Sequence, residues 1–170
     1  KFKLNLKVVL TDGSEPIGNG VGPILEMKDV VDVLSNKGPK DLREKSILLS
    51  GRLLELTERA KKGKGEKLAL KILESGKALN KFTQIIKAQN NNKINLKFKE
   101  PKFKKAIKSN KKQRVKHIDN KLINKLARHA GCPEDKLAGI YIHKKKNQPI
   151  EKNETLLTIY ATSKEKLDHA

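Results

Sequence analysis

Cysteine is nearly absent from this sequence of 170 residues: Cys132 stands alone. No internal disulfide is open to it, which suits a reducing cytoplasm, the compartment expected here. A nucleophilic or metal-binding role would need partners, and no histidine lies at ligand spacing, so Cys132 reads as a structural thiol. Aromatics make up only 4%, so a core has to be built from Leu, Ile, Val and Ala. No apolar run approaches the length of a membrane span, which predicts no membrane partner. The opening stretch, KFKLNLKVVLTDG, lacks the small-residue cleavage pattern of a secretory signal and starts on Lys1 rather than methionine. Arginine is scarce too. Only Arg43, Arg52, Arg59, Arg114 and Arg128 occur, so the net charge of +20 is carried almost wholly by lysine. Sequence-specific readers of nucleic acid favour arginine, whose planar fork pairs with guanine and phosphate. A lysine coat that travels with Asn and Ile, as in NNNKINLKFKE, reads first as a solvated surface. A basic, non-enzymatic nucleic-acid-binding module is the alternative.

What is present is organised in two halves. Leu4, Leu6, Val8 and Leu10 alternate as in a strand. The segment TDGSEPIGNGVGP follows, with Gly13, Gly18, Gly20 and Gly22 in a short span. Pro23 suits the first turn of a helix, which Ile24, Leu25, Val30, Val31 and Leu34 continue as an apolar stripe. Pro39 and Asp41 open a longer helix that runs to about Ala60. After the polar break KKGKGEK come a short helix, EKLALKILES, an interruption at Gly76, and an amphipathic helix, KALNKFTQIIKAQ. The character changes at NNNKINLKFKEP, which predicts a boundary between 1–96 and 97–170. In the second half KFKKAIKS and QRVKHID read as strands, paired in a twisted hairpin with lysines outside and Phe, Ile and Val inside. Asp119 is placed to cap NKLINKLARHAG, LAGIYIHKK and ETLLTIYAT read as strands, and Ser163 is placed to cap a last helix. The fold class expected is α+β.

Strand, glycine loop and helix is an order that cradles phosphates elsewhere. The details exclude the two common forms. Gly18-x-Gly20-x-Gly22 has the wrong final spacing for a dinucleotide fingerprint, and no Gly-Lys-Ser/Thr closes a P-loop. A tight turn where backbones cross closely is the competing reading. His117, His129, His143 and His169 are scattered, with no metal pair at helical spacing, and no serine–histidine–acid order is defensible. Phe98 and Phe103 are interleaved with lysines as in some single-strand binders, though the hairpin accounts for them equally. Lys144, Lys145 and Lys146 read as the solvated end of a strand, unmodified and with a surface-charge role only.

Four stretches resemble the thymidine phosphorylase family, the pyrimidine nucleoside phosphorylases together with the related AMP phosphorylases. They are VVLTDGSEPIGNGVGPILEMKDVVDVL, PKDLREKSILLSGRLLEL, ILESGKALNKFTQIIKAQ and LAGIYIHKKKNQPIEKNETLLTIYAT. TDGSEPIGNG is closer to the longer, AMP-phosphorylase-related form. Gln148-Pro149 and Asn153 stand where the family writes Gly-Asp and Gly, which predicts altered hairpin turns. The resemblance implies the C-terminal portion of a longer enzyme. Residues 1–96 would be part of a large α/β domain, with one N-terminal strand and helices, and 97–170 would be a C-terminal α/β hammerhead-like domain. The family's phosphate segment and base pocket precede the matched stretches, so no catalytic residue carries over. The resemblance further implies inorganic phosphate as co-substrate, a nucleoside substrate, a homodimeric parent and no nucleic-acid partner. It also implies a potassium ion, held by the carbonyls of Ile17 and Gly20 and the carboxylate of Asp29, where the family has the longer Glu. Oxygen ligands suit such a weakly held cation. On this reading the glycine segment is a structural turn that supports the phosphate site from behind.

Overall fold

The computed structural model describes residues 4–91 and 98–170, which fall into two compact units. The boundary expected at 96/97 lies outside the described residues. One unit takes residues 4–11 and 30–91, and the other takes 12–29 and 98–170. Helix α1 (Pro23–Leu34) begins in the second and ends in the first.

The first unit is helical. It holds α2 (Lys40–Leu56), α3 (Gly65–Glu74) and α4 (Lys77–Gln89). Pro39 precedes α2 with a φ of −65°, and Asp41 lies in its first turn, where the exposed amides favour a negative charge. Helices α2 and α3 approach closely where both lack side chains. A methyl on Gly65 would sit 2.0 Å from the Gly51 carbonyl oxygen, and one on Gly51 would sit 2.6 Å from the Glu66 nitrogen. Glu55 then caps α3: its Oε1 accepts from the amides of Gly63 and Gly65, both at 3.0 Å. The Gly65 amide above all, then the Gly63 amide, Lys7 and Arg52, hold the Glu55 carboxyl below its usual range against the opposing effect of burial. The strand expected over Leu4–Leu10 is not formed. Leu4, Leu6, Val8 and Leu10 are 76–95% exposed, and the first strand is β1 (Gly20–Val21), inside the glycine segment. An alternating pattern makes a strand only when another strand satisfies its backbone groups.

The second unit holds a four-stranded sheet, with helices packed on it, and a two-stranded one. β2 (Phe103–Lys108), β3 (Gln113–Arg114), α5 (Asn120–His129), β4 (Gly139–Ile142), β5 (Pro149–Ile150), β6 (Thr155–Ala161) and α6 (Lys164–His169) follow in order. The main sheet runs β1-β4-β6-β2, antiparallel throughout. Alternation puts Ile140, Ile142, Ile159 and Ala161 on one face, where they bury against Ala127 and Ala130 at the end of α5 and Leu167 of α6. Asp119 caps α5 by accepting from Lys121 and Leu122, and Ser163 caps α6 by accepting from Lys166, both as the sequence predicts.

The expected β2–β3 hairpin does not form. β2 pairs with β6 and the two-residue β3 pairs with β5. Phe103 and Ile107 pack against the core beside β6, an apolar contact that a two-residue partner cannot supply.

Candidate functional site: the glycine segment and its buried aspartate

Residues 12–22 fold over the start of α1. The segment opens with Asp12, whose Oδ1 accepts from the Ser14 amide at 2.8 Å. It closes at Gly22, whose amide donates to Glu26 Oε1 at 3.0 Å while its carbonyl accepts from the Glu26 amide at 2.9 Å. This reciprocal pair starts α1 much as a capping box does. At Gly22 an added methyl would lie 2.5 Å from the Ala138 carbonyl oxygen, and φ is +124°. Gly22 thus permits a close backbone approach to β4 and its lead-in, and a methyl on Gly20 would meet the Leu25 backbone of α1 at 2.5 Å, as a tight turn where backbones cross requires.

Asp29 is the centre of the arrangement. It is 2% exposed, and its Oδ2 accepts from two successive backbone amides, Asn19 at 2.6 Å and Gly20 at 2.7 Å. Its Oδ1 is buried with no hydrogen-bond partner among the described residues. Burying a carboxylate oxygen without a partner is costly, so the atom marks a place for a donor or a cation. Of the expected potassium ligands, Gly20 and Asp29 are brought together, through the Gly20 amide. Ile17 lies further along the segment with its side chain 40% exposed. The unpaired Oδ1 is the donor chemistry a monovalent cation takes, while the carbonyls of Pro16, Gly18 and Asn19 already accept from Lys145 and Ile142.

Several residues around the segment have partners that the sequence reading did not give them. The Lys145 ammonium donates to the carbonyls of Pro16 and Gly18, and the Lys146 amide donates to Glu15 Oε2 at 2.9 Å. Lys144 pairs with Glu154 at 2.6 Å. The expected role of these three lysines, surface charge only, is therefore corrected: Lys144 and Lys145 are half-buried and engaged. Asn19 Nδ2 reaches the Tyr141 hydroxyl at 3.3 Å, and the Lys28 ammonium lies 5.6 Å from the centre of the Tyr141 ring. His143 Nε2 shares a hydrogen bond of 2.8 Å with Thr158 Oγ1, and burial lowers its pKa. No spacing rule could have flagged Lys145, because its partners lie 127 and 129 residues away. Cys132 packs at the rim of the core, and burial, with Glu26 and Glu134 adding, pushes its thiol up, in keeping with a structural thiol. Among the described residues no three His, Cys, Asp or Glu side chains converge as for a transition metal, and no helix is long and apolar enough to cross a membrane.

Comparison with known proteins places this geometry. The family described as pyrimidine nucleoside phosphorylase C-terminal domain matches residues 114–170. An AMP phosphorylase from Methanococcus aeolicus is 44% identical over 98% of the chain, and one from Methanosarcina mazei is 44% identical over all of it. A protein named "Putative thymidine phosphorylase" from Legionella pneumophila is 38% identical over 98%. The chain belongs to the pyrimidine nucleoside phosphorylase family, as its C-terminal portion. It spans about a third of the length of these relatives, 32–34%. The matched C-terminal domain starts at Arg114, the last residue of β3, and covers α5, β4, β5, β6 and α6. The similarity to the three relatives extends beyond that domain, over essentially the whole chain, glycine segment included.

Proposed function

We propose that this chain is the C-terminal part of a phosphorolytic pentosyltransferase. Inorganic phosphate would cleave the N-glycosidic bond of a pyrimidine nucleoside such as thymidine, releasing free base and a pentose 1-phosphate. The task in such a reaction is to hold phosphate beneath C1′ while the bond breaks with oxocarbenium character, so positioning and charge stabilisation carry most of the barrier reduction. The residues that bind phosphate and base belong, on this reading, to the N-terminal portion of a longer, homodimeric protein. This chain contributes support. The Asn19–Gly20 amides locked on Asp29 fix the glycine segment as a rigid backing. Asp29 Oδ1 with the Ile17 and Gly20 carbonyls would hold a potassium ion, which supplies positive charge beside the phosphate.

The observation that carries the reading is the 38–44% identity to named phosphorylases along nearly the whole chain, with the glycine segment built on a buried carboxylate. A second substrate reading, a nucleoside monophosphate, is favoured by the names of the Methanococcus and Methanosarcina relatives. The longer protein incubated with thymidine, uridine or AMP decides both. Base release that requires phosphate, with a sugar phosphate as co-product, supports phosphorolysis. The preferred substrate separates the two readings. Base release that proceeds equally without phosphate would overturn the proposal.

A further inference from the structure

The glycine segment is held by opposite charges on its two kinds of backbone group. A carboxylate takes its amides: Asp29 Oδ2 accepts from Asn19 and Gly20. An ammonium takes its carbonyls: Lys145 Nζ donates to Pro16 and Gly18. A lysine ammonium is a compact point charge with three donors and no acceptor, so it can serve carbonyls as a small cation does. The contact is made from a fixed base. Lys145 lies just beyond β4, and its own amide donates to Gln148 Oε1 at 2.8 Å. On one side of it the Ile142 amide donates to the Asn19 carbonyl at 2.8 Å, and on the other the Lys146 amide reaches Glu15. The turn after β4 thus grips the segment at residues 15, 16, 18 and 19.

We propose that Lys145 is the built-in cation of the glycine segment: a positioning residue whose tethered ammonium holds the Pro16 and Gly18 carbonyls where a free monovalent cation would otherwise be needed. Neither similarity to phosphorylases nor the run of three lysines assigns it this role. Its neighbours differ in kind, since Lys144 pairs within its own hairpin through Glu154 and Lys146 contributes its backbone amide. The role is independent of the reaction the longer protein performs, and of whether a second cation sits at Asp29. It also predicts the ligand class that would replace the side chain. A pair of carbonyls left by truncating Lys145 should accept ammonium or a small alkylammonium ion.

Amide hydrogen exchange on this chain tests the idea with Lys145→Ala and Lys145→Met, in choline chloride and then in ammonium or methylammonium chloride at equal ionic strength. Charge-assisted hydrogen bonds are among the stronger ones, so loss of the ammonium should speed exchange at Asn19 and Gly20 by about tenfold or more in choline. The core amides of Ile159 and Ala161, on β6 away from the segment, should keep their wild-type rates. Ammonium or methylammonium should restore most of the protection in Lys145→Ala, where the side-chain space is vacated. The Met variant keeps the packing of the stem and drops only the charge, so it should lose protection like the Ala variant. Three outcomes would overturn the proposal: wild-type exchange at Asn19 and Gly20 in both variants, faster exchange in Lys145→Ala that small ammonium ions do not reverse, or equal acceleration at Ile159 and Ala161 in the Met variant.

Discussion

A methyl group on Gly22 would meet the Ala138 carbonyl oxygen at 2.5 Å, at a φ of +124° that side chains rarely adopt. Gly22→Ala should therefore destabilise the second unit by more than about 1 kcal/mol, since strain and overlap act together. Tyr141 and Tyr160 are the chain's two tyrosines and it has no tryptophan, so tyrosine fluorescence during denaturation reports this unit selectively. Asp29→Ala removes the acceptor for two amides and should cost roughly 2–4 kcal/mol, whereas Asp29→Asn keeps an oxygen for them and should cost clearly less. Equal losses in the two variants would mean that the two amide bonds do not set the stability of the segment. Asp135 carries a pH dependence. Lys166 foremost, then the Thr162 hydroxyl, hold its carboxyl below the ordinary value of 3.8. The unfolded chain binds that proton more readily, so the contribution is complete above about pH 4 and is lost as pH falls through the lower folded value. Melting temperatures followed downward from pH 5 should fall more steeply for the wild type than for Asp135→Asn. Parallel curves would remove Asp135 from the account. At this scale the sequence was partly legible. Asp119 and Ser163 announce their caps because a cap acts within three residues. Asn147 and Asn153 carry φ of 68° and 67° in the hairpin turns where altered geometry was expected, because Asn accepts this left-handed conformation better than most residues. Lys145 was illegible because its partners are far away in sequence.

At the scale of elements, the helices follow local periodicity closely, and β2, β4 and β6 form inside the stretches read as strands; the Leu4–Leu10 strand and the pairing of β2 do not follow it. α1 to α4 fall within a few residues of where apolar spacing and the proline, glycine and acidic signals put them. Leu4–Leu10 has a strand's alternation but no strand neighbour, and β2 pairs across about fifty residues to β6 instead of with β3. Pairing is decided by which apolar face finds a core, a long-range fact that alternation alone does not encode. The edge strand β1 shows the consequence. Gly20 and Val21 pair with Tyr141 and Ile140, and Leu25, 1% exposed, begins the helix behind them. A piece limited to residues 98–170 lacks Gly20, Val21 and Leu25 and leaves the β4 edge uncovered. Its β4 amides should exchange much faster than in the whole chain, and adding residues 12–29 in trans or by fusion should slow them. Unchanged protection of Ile140 and Ile142 in the short piece would show that β1 is dispensable.

At the scale of the whole molecule, the chain covers about a third of its relatives' length and leaves apolar surface in its first unit. Leu4, Leu6, Val8 and Leu10 are exposed, and a groove of about 320 Å³ among Val33, Leu42, Ile47, Leu53 and Leu73 is open within that unit. Surface of this kind is expected where further chain is to pack. The family was legible because four stretches keep their order and wording. The chemistry was not, because on the proposed function the described residues form a support, a buried carboxylate and a lysine that fix a backbone. The most direct test is phosphorolysis by the 170-residue chain itself, beside the longer protein. Thymidine, uridine and AMP are supplied with inorganic phosphate, and free base is measured against a heat-inactivated blank. The account predicts base and sugar phosphate from the longer protein and no turnover above the blank from this chain. Phosphate-dependent turnover by this chain alone would contradict it.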